Sequence, residues 1–340
     1  SKYTDHTVAA SPWKDGKGDL LEEVSKSASK YDMNMGVYLS PWDANHPKYH
    51  VATEKEYNQY YLNQLKEILG NPKYGNKGKF IEVWMDGARG SGAQKVTYTF
   101  DEWFKYIKEA EGDIAIFSAQ PTSVRWIGNE RGIAGDPVWH KVKRANITDD
   151  VKNEYLNHGD PDGDMYSVGE ADVSIRSGWF YHDNQQPKSL KELMDIYFKS
   201  VGRGTPLLLN IPPNKEGKFA DADVARLKEF KATLDQMYAT DFAKGATVTA
   251  SSTRQNHLYK ESHLTDGTDD TSWALSNDAT TGSFTVDLGQ KRRFDVVELK
   301  EDIAKGQRIS GFKIEVEING RWVTYGEGST VGYRLSLIHI

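Results

Sequence analysis

Phe80-Ile81-Glu82-Val83-Trp84-Met85-Asp86-Gly87 is the stretch that decides the fold: an apolar run that delivers a carboxylate into a glycine turn. Charged groups are seldom placed at the mouth of a buried strand unless they are used. In chains that alternate strands with helices, catalytic groups sit at the C-terminal ends of strands. Outward from this strand the alternation is clear. Upstream, Leu20, Leu21, Val24, Ala28 and Tyr31 have helical spacing, and Met35 to Ser40 reads as a short buried strand stopped by Pro41. Tyr57, Tyr61, Leu65 and Ile68 form a second helical stripe, ended by Gly70-Asn71-Pro72. Downstream come a helix marked by Trp103, Phe104 and Ile107, a strand over 113–118, a helix through Leu190, Leu193, Tyr197 and Val201, and a strand at Leu207-Leu208-Leu209-Asn210. Val224, Leu227, Leu234, Met237 and Tyr238 mark the last helix.

Apolar strands alternating with helices predict an α/β fold with a parallel sheet and helices outside. The count is about five or six β-α units where a closed TIM barrel has eight. The expectation is therefore a (β/α)8-like barrel lacking about its first two strands. An open doubly wound sheet is the alternative, but no glycine-rich phosphate loop follows a first strand. After Lys244-Gly245 the texture changes to short alternating runs, Ser283 to Leu288 and Phe312 to Val316, separated by turn residues. These predict a β-sandwich. The expected domains are a partial catalytic barrel over 1–243, a C-terminally incomplete sandwich over 244–334, and a tail of foreign origin over 335–340, with an authentic edge strand as the alternative for that tail.

The 340 residues carry 43 Lys+Arg against 49 Asp+Glu, a net charge of −6 with no basic block, so there is no electrostatic footprint for nucleic acid. No apolar run approaches the ~18 residues of a membrane span. Cysteine is absent, which excludes disulfides and thiol catalysis and leaves the compartment open. Nine Trp and 18 Tyr are a heavy aromatic load, suited to a packed core or to stacking on the C–H faces of sugars.

Retaining glycoside hydrolysis needs two carboxyl groups about 5–5.5 Å apart, one a nucleophile and one an acid/base. Asp86 is the natural nucleophile: short, fixed by its strand and close to Trp84. Glu130, Asp136, Glu170 and Asp172 are candidates for the second group. Glu130 lies in the loop-like Gly128-Asn129-Glu130-Arg131-Gly132. Glu170 and Asp172, at i and i+2, share one strand face, where Arg176 is placed to pair with them. Asp160-Pro161-Asp162-Gly163-Asp164 has the look of a calcium loop, but Ala171 stands where its bidentate Glu belongs, so it reads as a turn.

Six strings in order carry a family resemblance: Ser1 to His6, Gly36 to Asp43, Glu82 to Ala88, Trp126 to Glu130, Asp172 to His182 and Leu207 to Pro213. With them the chain resembles glycoside hydrolase family 29, the α-L-fucosidases, and within it the branch specific for α-1,3/1,4-linked fucose. The resemblance implies a (β/α)8-like barrel followed by a β-sandwich, with Asp86 as nucleophile and Glu130 as acid/base. It also implies that Tyr38 and Trp84 line the fucose pocket, that Trp179 packs on the sugar, and that Trp42, Asp43 and His46 reach the neighbouring sugar. The partner it implies is a fucosylated oligosaccharide or glycoconjugate, such as a Lewis-type structure. Catalysis then needs no cofactor, and a secreted or periplasmic bacterial enzyme is expected. Two departures stand out. The family's two earlier strands and a His-His-Asp-Gly string are missing before Ser1, which predicts a truncated chain of little or no activity. Ser177 stands where proline is usual. Residues from about 246 resemble a discoidin-like (factor 5/8 type C) module, and Asp266, Asp269 and Thr271 offer it hard oxygens for a structural Ca²⁺. The alternatives are another retaining exo-glycosidase, such as a galactosidase or hexosaminidase, and a non-catalytic glycan-binding fragment.

Overall fold

The computed structural model describes residues 1–46, 53–87, 96–254 and 257–338. The chain divides into two compact units. The first comprises residues 1–126, 141–152 and 162–168, and the second residues 127–140, 153–161 and 169–340.

In the first unit helices alternate with short parallel strands: α1 (Leu20–Lys30), β1 (Gly36–Tyr38), α2 (Glu54–Ile68), β2 (Glu82–Trp84), α3 (Phe100–Glu111), β3 (Ala115–Phe117) and β4 (Val124–Trp126). Local chemistry sets the helix starts. Asp19 caps α1 by accepting from the Glu22 N–H, and Thr53 with Glu56 forms a capping box on α2. Strands β1, β2 and β3 run in register, with Gly36 beside Glu82 and Glu82 beside Ala115. Alternation along β2 then divides its side chains. Val83 and Met85 turn to the helices and are buried with Leu65, Trp103, Ile107 and Ile116. Glu82, Trp84 and Asp86 have the opposite parity. A two-residue ribbon, β5 (Lys141–Val142) with β6 (Met165–Tyr166), is antiparallel.

The second unit holds α4 (Asn153–His158), β7 (Val168–Ser174, its first residue in the other unit), α5 (Leu190–Lys199), β8 (Leu207–Asn210) and α6 (Asp221–Met237). Strands β7 and β8 are parallel, and Ser189 with Glu192 forms a capping box on α5. Beyond them lie β9 (Thr247–Ala250), β10 (Phe284–Asp287), β11 (Val296–Leu299), β12 (Phe312–Ile318), β13 (Arg321–Gly328) and β14 (Leu335–Ile338), paired antiparallel as β9/β10, β11/β14 and β12/β13. The architecture is thus part of a (β/α)8-type barrel followed by a β-rich discoidin-like module. Buried Gln307 ties that module to the residues before β5: its amide donates to the Val138 carbonyl at 2.8 Å and accepts from the His140 N–H at 3.0 Å. Residues 335–338, read from sequence as the start of a foreign tail, form β14, with Ser336 buried and bonded to Glu298 at 3.2 Å. Residues 339 and 340 of that expected tail, and Ala88 of the Glu82–Ala88 string, lie outside the described residues.

One expectation is corrected. Arg176 shares strand parity with Glu170 and Asp172, but β7 ends at Ser174, and the guanidinium instead meets Asp223 in the first turn of α6. Its Nε lies 3.1 and 2.9 Å from the two carboxylate oxygens. Both side chains are buried. Removing one partner of such a pair strands a charge and costs about 3–5 kcal/mol, whereas a well-packed apolar replacement of both is often neutral. Asp223→Ala is therefore expected to lower the urea midpoint strongly, and Arg176→Met/Asp223→Leu to recover most of the loss. Equal losses in the two variants would show that the pair is not an isolated charge problem.

Candidate active site

Asp86 follows β2 on the same face as Trp84, and its Oδ2 accepts a hydrogen bond from the Tyr38 hydroxyl at 2.7 Å. The register that sets Tyr38, Trp84 and Phe117 side by side also stacks their rings. Trp84 lies 3.9 Å from Phe117 with the planes 11° apart, and Tyr38 lies 5.4 Å from Trp84 at 20°. Phe117 is buried, while Tyr38 is 57% exposed. The stack is therefore backed at one end and open at the other, which makes it an aromatic wall beside a carboxylate. Partial burial first, and the Asp86 carboxylate second, push the Tyr38 phenol well above its ordinary value, so it stays a donor. Gly87 closes the strand end. A Cβ there would stand 2.7 Å from the Ala119 Cβ, too close for any side chain without movement.

Phe117 was absent from the sequence-based site. The signal was present: it ends its strand as Tyr38 and Trp84 end theirs, and an in-register parallel sheet puts such residues at one level.

Trp42, Asp43 and His46 gather on the aromatic face of α2. Asp43 Oδ2 accepts from the Tyr60 hydroxyl at 2.8 Å, and its N–H donates to the Tyr57 hydroxyl at 3.0 Å. His46 is buried and stacks on Tyr60 at 3.7 Å. Trp42 packs on the cluster of Tyr57, Tyr60 and Val96.

In the second unit Glu130 stands exposed at the tip of a tied loop. Gly128 has φ +80, and a Cβ there would meet the Asn153 carbonyl oxygen at 2.3 Å, so only glycine fits. The Asn129 amide donates to the Ile133 carbonyl at 2.9 Å and its oxygen accepts from the Arg131 N–H at 3.1 Å. Asn157 reaches in to the Ile127 carbonyl at 2.9 Å. Trp179 then donates from its indole Nε1 to Glu130 Oε2 at 3.2 Å. The other candidate carboxyls sit differently. Asp136 pairs with Arg203 at 3.1 Å, and Glu170 and Asp172 are buried along β7.

The expected calcium ligands are engaged within the protein. Asp266 Oδ2 accepts from the Thr271 hydroxyl at 2.5 Å, a bond that holds this carboxyl below its usual range. Asp269 is bracketed by the Lys300 ammonium at 2.9 and 3.1 Å. A cation at Asp269 would therefore compete with the Lys300 ammonium.

Residues 1–239 match the family model described as Alpha-L-fucosidase, and residues 247–335 match that of the F5/8 type C domain. Alpha-L-fucosidase 1 of Arabidopsis thaliana is 36% identical over 337 residues, which cover 98% of this chain and 65% of that protein. A relative from Oryza sativa subsp. japonica is 38% identical over 338 residues, covering 98% and 64%. The chain thus spans less than two thirds of the length of these curated relatives. The crystal structure of SpGH29 matches with a TM-score of 0.95 and 55% identity, over 99% of this chain and 75% of that one. A Ruminococcus gnavus GH29 fucosidase in complex with fucose matches with a TM-score of 0.90 and 41% identity, over 100% and 73%.

A neutral Tyr38 has a measurable consequence. An unfolded tyrosine ionises at pH about 10. The stability that raised phenols contribute is complete below that pH and is lost as the pH rises toward their folded values. Spectrophotometric titration of the folded protein is expected to show no Tyr38 step near pH 10, so Tyr38→Phe leaves that part of the curve unchanged. A titration reduced by one group near pH 10 in the variant would disprove the bonded geometry.

Proposed function

The chain belongs to the α-L-fucosidase family, and from that premise we propose that its protein is a retaining exo-glycosidase that releases α-1,3/1,4-linked L-fucose from glycans of the Lewis type. The observation that carries the reading is the Asp86 carboxylate, oriented by the Tyr38 hydroxyl at 2.7 Å beside the stacked Trp84. A nucleophile must approach the anomeric carbon along one line, and a bond to one carboxylate oxygen fixes the rotation of the group. With Trp84 stacked between Phe117 and Tyr38, the open Tyr38 end of this wall offers an apolar face to the C–H side of a sugar.

In the proposed reaction Asp86 attacks the anomeric carbon and forms a glycosyl ester, while Glu130 gives its proton to the departing glycosidic oxygen. Glu130 then takes a proton from water, which attacks the same carbon, releases fucose with retained configuration and regenerates Asp86. The tied loop around Glu130 supports this role: its backbone is fixed, its carboxyl is exposed, and the Trp179 indole holds one oxygen. Trp42, Asp43 and His46 are assigned to shaping the neighbouring sugar's side of the pocket through the α2 aromatic cluster. A secreted or periplasmic setting suits a glycan-degrading enzyme, and no helix among the described residues is long and apolar enough to cross a membrane.

The test uses the whole protein with 4-nitrophenyl α-L-fucoside, the matching galactoside and hexosaminide, and a panel of α-1,2, α-1,3, α-1,4 and α-1,6 fucosylated oligosaccharides. Turnover confined to the fucoside and to the 1,3/1,4 linkages is expected, with NMR showing retained configuration. Asp86→Ala is expected to lose at least about 10³-fold in rate, with part of it restored by azide as an external nucleophile. No fucoside turnover by folded protein, or no rescue, refutes the corresponding assignment.

For the sandwich-like module, a Ca²⁺ ion at Asp266, Asp269 and Thr271 has to displace Lys300 from Asp269. If it does, adding Ca²⁺ raises the unfolding temperature and a chelator reverses the rise, through mass action on the folded state. An unfolding temperature indifferent to both removes calcium from the proposal.

A further inference from the structure

Helix α6 buries one residue fully, and that residue is Asp223. An amphipathic helix ordinarily buries an apolar stripe, so a carboxylate in this place needs a reason. Its partner Arg176 stands just past β7, at the root of the loop 177–188. No residue of that loop is buried, and Phe180 is 80% exposed.

Beyond Asp223, the guanidinium reaches into the loop. Its Nη1 donates to the carbonyls of His182 at 3.3 Å and Gln185 at 2.5 Å, and its Cζ lies 4.7 Å from the Tyr181 ring centroid. Lys188 closes the other end. Its N–H donates to the Ile175 carbonyl at 2.8 Å, and its ammonium to the carbonyls of Ser174 at 2.6 Å and Arg176 at 3.0 Å. Burial lowers the affinity of this amine for its proton. Between the two ends, the Asn210 amide holds the Trp179 carbonyl at 3.0 Å, and the Trp179 indole meets Glu130 at 3.2 Å. Every group in this chain of contacts lies in the second unit.

A buried ion pair is poor evidence for stability, since an apolar pair serves as well. The planar guanidinium meets the carboxylate through Nε and the loop carbonyls through Nη1, in one fixed geometry. We propose that the Arg176–Asp223 pair is a positioning device for Glu130: it fixes the loop 177–188 so that the Trp179 indole holds the Glu130 carboxyl in one rotamer. The proposal rests on Glu130 acting as the acid/base. Arg176 and Asp223 touch no substrate and act through Trp179. A group that must deliver a proton along a defined line loses its effect when its support loosens.

The experiment has two arms. In ¹⁵N-tryptophan-labelled protein, Trp179→Phe assigns the Trp179 indole resonance, and Glu130→Gln moves it. Asp223→Asn and Arg176→Lys are expected to move or broaden the same resonance while circular dichroism stays that of the wild type. In the kinetic arm, kcat/KM, which reports the glycosylation step alone, falls about 10-fold or more in these variants on a fucosyl disaccharide, whose leaving group needs protonation. On 4-nitrophenyl fucoside, whose leaving group departs unaided, it stays near the wild-type value. Adding Asp223→Asn to Trp179→Phe brings no further loss, as expected if Asp223 acts through Trp179. A folded variant with an unmoved Trp179 resonance, or equal losses on both substrates, overturns the proposal. If Asp223→Asn does not fold, Arg176→Lys decides alone: it keeps a cation opposite Asp223 and removes only the fork. If the wild type hydrolyses no fucoside, the functional reading fails, and the NMR arm still judges the positioning.

Discussion

The first unit depends on one constraint, the in-register parallel pairing of β1, β2 and β3. Because side chains alternate with a period of two, that register sends Val83, Met85 and Ile116 to the helices and keeps Trp84 and Asp86 together on the other face. A slip of one residue would bury the carboxylate among Leu65, Trp103 and Ile107 and push the valine out. Burial of the helix-facing row, at about 25 cal/mol per Å² of apolar surface, therefore enforces the placement of the polar row. Stability and site geometry are here two faces of the same strands.

The second unit solves a different problem. Glu130 and Trp179 both sit on loops, where backbone is held by what it bonds to rather than by a ladder. The Glu130 loop is tied by Gly128, Asn129 and Asn157, and the Trp179 loop by Arg176, Lys188 and Asn210. In each, an amide or a cation satisfies carbonyls that would otherwise face water. Arg176 of the Asp172–His182 string thus has structural work in holding the loop that carries Trp179.

The elements were readable because their signals are local. Helically spaced apolar residues, short apolar runs and breakers such as Pro41 and Gly70-Asn71-Pro72 mark strand and helix limits within a few positions. The nucleophile candidate was legible for the same reason: Asp86 ends an apolar strand. The second carboxyl was not legible from spacing, which left Glu130, Asp136, Glu170 and Asp172 open, and only the family resemblance pointed to Glu130. Arg176 shows the limit most clearly. Strand parity offered it Glu170 and Asp172, yet its partner comes from 47 residues further on, a distance no spacing rule covers. Asp43 and His46 are drawn onto the aromatic face of α2 through Tyr57 and Tyr60, contacts that no local pattern announces. The short β4 and the β5/β6 ribbon were missed because runs of two or three residues leave no periodicity to count.

The wall beside Asp86 also has an optical side. An indole lying 3.9 Å above a benzene ring, nearly parallel to it, shares electronic transitions with its neighbour and is held in a chiral, immobile setting. Such a pair rotates polarised light in the near ultraviolet far more strongly than a freely turning tryptophan. The strand register thus has a built-in chromophore, visible without label or ligand, whose band reports whether the three strands are still aligned when the helices alone would look intact.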